Sequence, residues 1–195
     1  MNTLKVLIEG YVKRLPSGVF RASPSTVLVQ TPQKIILIDP GANPSLLIQA
    51  LGPTGLQPVD FDIIFFTHYH PDHTLNLRLF LYPEVMDGNT RYVGDEEIPY
   101  SNTIPGTDIE VIPTPGHSPE HASLIVVTFE GRYAVAGDVF WWEEGQVQGL
   151  ERKSLLELQD PYAQDLGKLR ESRLKLLQSA DFIVPGHGKP FRVPV

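Results

Sequence analysis

The sequence predicts an α+β fold in which two β-sheets pack together and helices cover their outer faces. Three observations predict it: short apolar runs rich in β-branched residues occur in both halves of the chain, helical segments between them are few, and one long amphipathic helix lies near the end. Each sheet must bury an apolar face, and a layered arrangement satisfies both. Because 195 residues suffice for one substantial core and contain no linker or repeat, we expect a single domain over residues 1–195.

Strands are predicted where a short apolar or alternating run ends at a turn residue. These runs cover residues 3–8, 26–30, 34–38, 61–66, 108–112, 122–129, 133–136 and 181–184. A three-residue turn separates the second run from the third, which predicts an antiparallel hairpin. Glu130-Gly131 predicts a tight turn between the sixth and the seventh.

Two helices are predicted from capping residues and periodicity. The first covers residues 44–51, with Asn43 as its N-cap and Gly52 beyond its end. The second covers residues 161–180 and has one apolar stripe, formed by Leu166, Leu169, Leu176, Leu177 and Ala180. Its basic run is predicted to be a solvated face, formed by Lys168, Arg170, Arg173 and Lys175.

The amino-acid composition limits the kinds of metal site and binding partner that the chain can have. The chain has no cysteine, so disulfides and thiolate metal ligands are excluded and any transition-metal site must use histidine and carboxylates. A formal net charge of −7 does not favour an extended nucleic-acid surface. No apolar stretch is long enough to span a membrane, and we expect a cytoplasmic protein without a membrane partner. The oligomeric state is left open, and a homodimer is compatible with the sequence.

Histidines cluster directly after the predicted strand at residues 61–66. Four potential metal ligands occupy six positions there: His68, His70, Asp72 and His73. Pro71 excludes a regular helix through this loop, so a compact turn can direct the first two side chains to one centre and the last two to another. Neutral imidazole and carboxylate suit zinc, and two such centres about 3.5–4 Å apart form a hydrolytic pair.

Three later segments each place a glycine beside another candidate ligand at a strand end. They are Thr114-Pro115-Gly116-His117, Ala136-Gly137-Asp138 and Val184-Pro185-Gly186-His187. Glycine permits a close backbone approach or a positive φ angle at such positions. Together with the histidine cluster, these segments predict a metal site of two centres.

The motif His68-Tyr69-His70-Pro71-Asp72-His73 resembles the His-x-His-x-Asp-His motif of the metallo-β-lactamase superfamily. The resemblance implies a four-layer αββα sandwich with the metal site at one edge of the sheets. It implies His68, His70 and His117 as ligands of one metal, Asp72, His73 and His187 as ligands of the other, and Asp138 as a bridge. The cofactor is then two zinc ions, with manganese or iron as alternatives. The second half, from Ala136-Gly137-Asp138 onward, resembles one subgroup of the superfamily more narrowly.

Other residues are expected to support the site or to contact the substrate. By resemblance, Asp39 lies where the superfamily keeps an aspartate that supports the ligands, and we assign a hydrogen-bonding role to Thr67 and His121 as well. Tyr69, Trp141 and Trp142 are the candidates for substrate contact. Their alternative role is packing in the core.

The predicted function is hydrolysis of an ester-type bond by a metal-bridging hydroxide, with Asp72 and Asp138 as the catalytic carboxylates. The substrate is expected to be a small molecule or a short phosphodiester, so phosphodiesterase and lactonase activities both remain open. Two alternatives share the fold: a single-iron oxidoreductase of the persulfide dioxygenase type, and a thioesterase of the glyoxalase II type. The sequence does not identify the substrate, the native metal or the proton donor to the leaving group.

Overall fold

A computed structural model describes residues 1–194, which form fourteen strands and four α-helices. The strands are β1 (Thr3–Ile8), β2 (Tyr11–Arg14), β3 (Phe20–Ser23), β4 (Thr26–Gln30), β5 (Ile35–Ile38), β6 (Ile63–Phe65), β7 (Glu84–Met86), β8 (Thr90–Val93), β9 (Glu96–Pro99), β10 (Glu110–Pro113), β11 (Ala122–Thr128), β12 (Gly131–Trp141), β13 (Phe182–His187) and β14 (Phe191–Arg192). The helices are α1 (Pro44–Leu51), α2 (Pro71–Thr74), α3 (Arg152–Leu156) and α4 (Leu166–Ser179), with short 3₁₀ turns at Gly52–Thr54, Pro58–Asp60 and Leu75–Leu79. Among residues 1–194, no helix combines the length and apolarity needed to cross a membrane.

The strands form two large sheets and one separate hairpin. The first sheet has the order β1-β4-β5-β6-β7-β8-β9, and the second has the order β10-β11-β12-β13-β14. β2 and β3 pair with each other in a two-stranded sheet, and Val12 of β2 makes an isolated bridge to Glu143. The pairs β5–β6 and β6–β7 are parallel, and so is β12–β13. The carboxyl ends of these parallel neighbours therefore meet at one edge of their sheet.

Apolar side chains form three packed layers, because successive residues of a strand point to opposite faces of its sheet. Val27, Phe65 and Leu124 belong to the core between the two sheets. The outer face of the first sheet packs against α1, with Leu37 against Leu47 and its neighbours. The outer face of the second sheet packs against α3 and α4 through residues including Ile125, Ile183, Leu169 and Leu176. The predicted α+β class and the αββα layer order are therefore confirmed.

Several strands were not predicted because they lack a buried apolar run. β2 and β3 carry basic residues, β8 is mostly half-buried and β9 is mostly exposed, so pairing with neighbouring strands rather than composition defines these strands. β12 extends beyond the predicted residues 133–136 through Asp138 to Trp141. The strand continues there because the residues after Asp138 are apolar and buried.

Two helix predictions need correction. A short helix does begin in the histidine loop, because Pro71 occupies its first turn, where a missing N–H costs nothing. The long helix begins at Leu166 rather than at residue 161, since the Asp165 side chain accepts a hydrogen bond from the Lys168 N–H as its N-cap. Leu166 is exposed instead of joining the apolar stripe, and Arg173 is buried instead of solvated.

Gly116 allows α4 to pack closely against the loop after β10. A Cβ atom at this position, where φ is +135°, would lie 2.2 Å from the backbone nitrogen of Leu169. The Gly116 carbonyl also accepts hydrogen bonds from the N–H groups of Gln164 and Asp165 at the start of the helix. Helix α4 and the His117 loop are thus held together without an intervening side chain.

Replacing Gly116 with alanine should lower the free energy of unfolding by about 3 kcal/mol, because the methyl group meets helix backbone and the positive φ is strained. Urea unfolding of the metal-free protein measures this loss. Gly55→Ala is the matched control, since Gly55 has φ of +74° with no atom within 4 Å of its Cβ position, and should cost about 1 kcal/mol. Equal losses in the two variants would contradict the close approach of α4.

Candidate metal centre

The candidate ligands meet at the edge where β5, β6, β12 and β13 end. His68, His70, Asp72 and His73 follow β6, and α2 carries the last two. His187 is the last residue of β13, Asp138 lies within β12, and His117 follows β10. Parallel strands direct their carboxyl ends to the same edge, so segments distant in sequence deliver their side chains to one place.

These side chains form two adjacent groups that could each hold a metal ion. The first group contains His68, His70, His117 and Asp138, and the second contains Asp72, His73 and His187. Within each group, one possible ligand atom per residue lies within 4.8 Å of the others. The structure therefore brings together all seven residues that the sequence analysis named as metal ligands.

Asp138 faces both groups with different oxygen atoms. Its Oδ2 lies 3.4 Å from Nε2 of His117 and 3.8 Å from Nε2 of His68. Its Oδ1 lies 3.3 Å from Nε2 of His73 and 3.6 Å from Nε2 of His187. A tetrahedral zinc ion with bonds of 2.0–2.1 Å keeps neighbouring ligand atoms about 3.3 Å apart, which these separations approach.

Each of four imidazoles hydrogen-bonds through Nδ1 and leaves Nε2 directed at the centre. Nδ1 of His187 lies 2.8 Å from the backbone oxygen of Ser23, and Nδ1 of His117 lies 2.7 Å from Oδ2 of Asp160. These acceptors have no hydrogen to donate, so the imidazole N–H must lie on Nδ1. The lone pair of Nε2 then faces the cluster, which is the tautomer that a metal ligand requires.

His68 and His73 reach the same arrangement through Asp39 and Thr67. Oδ2 of Asp39 lies 2.9 Å from Nδ1 of His73 and accepts a 2.7 Å hydrogen bond from Oγ1 of Thr67. Since Thr67 donates its only hydroxyl hydrogen to that carboxylate, Nδ1 of His68, at 3.1 Å, must donate to Oγ1 of Thr67. Asp39 and Thr67 therefore orient two candidate ligands by hydrogen bonding.

Three buried polar atoms of the cluster have no hydrogen-bond partner within residues 1–194, which bears on whether a cation fits there. Nε2 of His68, Nε2 of His73 and Oδ1 of Asp138 are buried without a hydrogen-bond partner in the part of the chain that the structure describes. Buried polar atoms are normally satisfied, so three such atoms aimed at one centre call for a ligand. A divalent cation fits them, because all are lone-pair donors of the type that zinc prefers.

Electrostatics also favour a cation in the cluster. Burial alone would raise the pKa of Asp138, but the neighbouring His187 and His73 outweigh it and hold that pKa well below its usual value. Burial alone would lower the pKa of His73, but the carboxylates of Asp138 and Asp39 raise it well above its usual value. Both pKa shifts show that the buried carboxylates favour positive charge at the centre of the cluster, and a bound cation would supply it.

His121 stands behind the cluster and holds Asp138 in place. Its Nε2 accepts a 3.2 Å hydrogen bond from the Asp138 backbone N–H, and its Nδ1 lies 2.9 Å from Oγ1 of Thr114. Burial lowers the pKa of His121 to about 3, so the ring is neutral at neutral pH. Gly137 has φ of +52°, and a Cβ there would lie 2.7 Å from Nε2 of His121, so only glycine permits this approach.

Asp160 is a functional candidate that the sequence analysis missed. It is buried in the loop before α4, and its Oδ2 lies 2.7 Å from Nδ1 of His117. The residue stands 43 positions from His117, and a lone aspartate before a proline is an ordinary turn signal. Its location in a segment that resembles the narrower subgroup was the one available indication.

Two of the three predicted substrate-contact residues point away from the cluster. The Tyr69 hydroxyl donates to Oδ2 of Asp87, so this side chain anchors the histidine loop to the end of β7. Trp142 packs against Phe191 in the core of the second sheet, with ring centroids 6.0 Å apart. Trp141 does face the cluster, since it lines the same cleft as the ligands and its ring centroid lies 6.5 Å from that of His187.

A cleft of about 290 Å³ opens onto the ligands. One side consists of metal-ligand candidates and the opposite side is mainly apolar. The apolar wall is formed by Val12, Phe20 and Ala22 from the β2–β3 hairpin together with Trp141 and Tyr162. The wall therefore combines a separate hairpin with the end of β12.

Replacing Asp39 with asparagine should weaken metal binding about 10- to 100-fold, since one oxygen becomes an NH₂ group that cannot accept from Thr67 or His73. Chelator competition measures the affinity for Zn²⁺. Asp95→Asn, an exposed aspartate in the turn between β8 and β9, should bind Zn²⁺ like the unaltered protein. Unchanged affinity in Asp39→Asn would show that this carboxylate does not orient the ligands.

Comparison with known proteins agrees with the fold. Residues 20–85 match the family model of the metallo-beta-lactamase superfamily. The chain is 34% identical to metallo-beta-lactamase domain-containing protein 1 of Xenopus laevis over 98% of its own length and 82% of the relative. The human protein of that name is 32% identical over 92% of this chain and 70% of its own length. These are proteins of the subgroup that the second half of the sequence indicated.

Solved structures share the fold at lower identity. A Thermotoga maritima structure assigned to the metallo-beta-lactamases has a TM-score of 0.72 with 20% identity, and the match covers 98% of this chain and 99% of that one. AidC, a dizinc quorum-quenching lactonase, has a TM-score of 0.65 with 16% identity over 87% of this chain and 73% of its own. The chain therefore belongs to the metallo-beta-lactamase superfamily of metallo-hydrolases, as a relative of metallo-beta-lactamase domain-containing protein 1.

Proposed function

We propose that the protein is a dinuclear zinc hydrolase that cleaves the carboxylic ester bond of a small, largely apolar ester or lactone. The observation that carries the proposal is the position of Asp138, whose two oxygens face two separate groups of candidate ligands. One metal ion needs only one of these groups. A carboxylate shared by both is the arrangement expected of two adjacent cations.

The residues around Asp138 would divide the work of hydrolysis. Two bound cations would lower the pKa of a shared water, so that hydroxide is available near neutral pH. Asp138 would offset the charge of the cations, held in place by the ring of His121. Asp72 lines the cleft with a side chain that is 25% exposed, so its carboxylate is the one that can hold a proton for the leaving alcohol.

The wall opposite the ligands favours an apolar substrate. Val12 and Ala22 pair across the hairpin and point to the same side as Phe20, so the three side chains of β2–β3 that line the cleft are apolar. Trp141 and Tyr162 continue this surface, with ring centroids 5.7 Å apart. At about 290 Å³ the cleft is near the lower end of the size of small-molecule sites, which suits a small ester.

The same wall disfavours a phosphodiester. Proteins bind phosphate groups mainly through arginine and lysine, and none of the eleven cleft-lining residues in the described chain is an arginine or a lysine. Arg14 lies at the end of the same hairpin face as the partner of Phe20, and its guanidinium lies over the Phe20 ring, 4.7 Å from the centroid. Oε1 of Glu143 lies 3.8 Å from that guanidinium and offsets its charge.

Similarity to other proteins supports the ester or lactone class without defining the substrate. AidC is a dizinc lactonase and shares this fold. A quorum-quenching N-acyl homoserine lactone lactonase also shares it, with a TM-score of 0.57. The fold thus accommodates lactone hydrolysis, and the apolar wall makes that chemistry the better match for this chain than phosphodiester cleavage.

The zinc-loaded protein should bind about two ions per chain and hydrolyse p-nitrophenyl hexanoate and an alkyl γ-lactone faster than bis(p-nitrophenyl) phosphate or a glutathione thioester.

Replacing His73 with alanine should remove one equivalent of metal and lower kcat/KM at least about 100-fold, because a charge-stabilising cation is lost. Elemental analysis and initial rates measure the two effects. Glu120→Ala, an exposed carboxylate beside the cluster, serves as the control and should change neither.

Other outcomes of this assay would overturn the proposal in different ways. Preferred cleavage of the phosphate ester would retain the dinuclear hydrolase and replace the substrate class. Preferred cleavage of the thioester would indicate an enzyme of the glyoxalase II type. One iron per chain, with oxygen consumption on a persulfide substrate, would establish the oxidoreductase instead.

Phe20→Ala should lower kcat/KM for p-nitrophenyl hexanoate about 5- to 10-fold while changing that for the acetate less than about 2-fold, because the lost ring contacts only the longer acyl group. The comparison uses steady-state kinetics across acetate, butyrate and hexanoate esters. Val19→Ala is the matched control, since Val19 is the exposed neighbour that does not line the cleft. An equal decrease in kcat/KM for the acetate and hexanoate esters would show that the hairpin does not contact the acyl chain.

A further inference from the structure

Arg173 is a buried charge that the metal site described above does not use. It lies in α4 and is only 2% exposed, although the sequence predicts a solvated face for its basic run. Arg170, one turn earlier on the same helix, is exposed as predicted. Arginine is almost never fully buried without partners, because removing its charge from water is costly. The partners of Arg173 should therefore reveal its role.

The guanidinium of Arg173 links the backbone segments of two aspartates that contact His117: Asp138, which belongs to the first ligand group, and Asp160, which orients the His117 ring. Its Nε donates a 2.9 Å hydrogen bond to the backbone oxygen of Val139, the residue after Asp138. Its Nη1 donates a 2.5 Å hydrogen bond to the backbone oxygen of Leu158, two residues before Asp160. A planar guanidinium fixes the relative positions of two acceptors, which a single ammonium group cannot do.

Both linked segments converge on one side chain, the imidazole of His117. Asp138 approaches Nε2 of this ring to 3.4 Å with Oδ2, and Asp160 fixes the ring from its other side through the 2.7 Å contact with Nδ1. Asp160 is itself held by the N–H of Tyr162, which donates to its Oδ1 at 2.9 Å. The relative position of the Asp138 and Asp160 segments therefore decides how the His117 ring meets the shared carboxylate.

The positive charge of Arg173 also interacts favourably with the Asp160 carboxylate beside His117. Burial lowers the pKa of Arg173 to about 10, which leaves the side chain charged at neutral pH, and Asp160 acts to raise that pKa. The positive charge thus lies near the carboxylate that orients His117. Nη2 of Arg173 is buried without a hydrogen-bond partner among residues 1–194, so the two carbonyl oxygens are the contacts that define its position.

We propose that Arg173 is a positioning residue for the first metal, because it holds the Asp138 and Asp160 segments at a fixed separation so that His117 and Asp138 face a common cation. The inference rests on the metal centre of the proposed function. It assigns to the interior of α4 a part in metal affinity, with no contact between Arg173 and the ion or the substrate. A purely structural arginine would stabilise the fold and leave the geometry of the first site unchanged.

Arg173→Lys tests this assignment because it keeps the positive charge and removes the double contact. The first site is isolated by placing the substitution in a His73→Ala background, which leaves only the first ligand group complete. There we expect affinity for Co²⁺ to fall about 10-fold or more, and the visible absorption bands of the bound ion to shift. Chelator competition and absorption spectroscopy measure the two effects, and Arg170→Lys is the matched control on the same helix.

A double-mutant cycle with Asp160→Asn tests the route of the effect. If Arg173 acts through the orientation of His117, the two losses of Co²⁺ affinity overlap, and the double variant binds about as weakly as Asp160→Asn alone. Fully additive losses would overturn the proposed route. Should Arg173→Lys fail to fold, as judged by circular dichroism, Arg173→Gln enters the same cycle, since its amide retains one donor for one carbonyl.

The outcomes separate this inference from the proposed function. A folded Arg173→Lys protein with unchanged Co²⁺ affinity and spectrum would refute the positioning role and leave the dinuclear hydrolase intact. The same loss of affinity in Arg170→Lys would also refute it, since any change in α4 would then suffice. An unaltered chain that binds no second metal and cleaves no ester would instead refute the proposed function.

Discussion

One buried carboxylate, that of Asp138, is the charge on which the rest of the site depends. It is 5% exposed and faces the Nε2 atoms of His68, His73, His117 and His187. An ionised group in such a place needs compensating charge and a fixed position. Its position is set by glycines on neighbouring strands: Gly137 adopts a positive φ angle, and a Cβ at Gly186 would lie 1.9 Å from Oδ1 of Asp138. The Pro-Gly-His segment thus keeps space for the carboxylate as well as supplying a candidate ligand.

The αββα sandwich supplies this geometry because both sheets contribute to the same edge. The first sheet provides Asp39 and the loop after β6, and the second provides Asp138 and His187. The Nε2 atoms of His73, His117 and His187 then depend on a hydrogen bond at Nδ1 to a group from a different element: the end of β5, the loop before α4 and the base of the β2–β3 hairpin, respectively. The apolar core between the sheets keeps these elements apart at a constant spacing. Packing and chemistry are therefore coupled, since a shift between the sheets would move ligands relative to one another.

Much of this could be predicted from the sequence because ligand chemistry imposes short, recognisable patterns. The spacing of His68, His70, Asp72 and His73, and the glycines beside His117, Asp138 and His187, identified the residues that the structure brings together. The supporting residues were harder to find, because Asp160 and Arg173 act through contacts 43 and 34 positions away along the chain. In the sequence, Arg173 groups with the other basic residues of the helix as a predicted solvated face. Only the tertiary packing shows that its side chain is buried. Likewise, the β2–β3 hairpin has no apolar run, so its role as a wall of the cleft follows from its location.

The central claim is that Asp138 joins two metal sites into one centre. Crystals of the zinc-loaded protein, measured on both sides of the zinc absorption edge, test it most directly by anomalous scattering. We expect two anomalous peaks about 3.5–4 Å apart, one within bonding distance of Oδ2 of Asp138 and the other within bonding distance of Oδ1. A single peak at saturating zinc, or a second peak remote from Asp138, would contradict the claim.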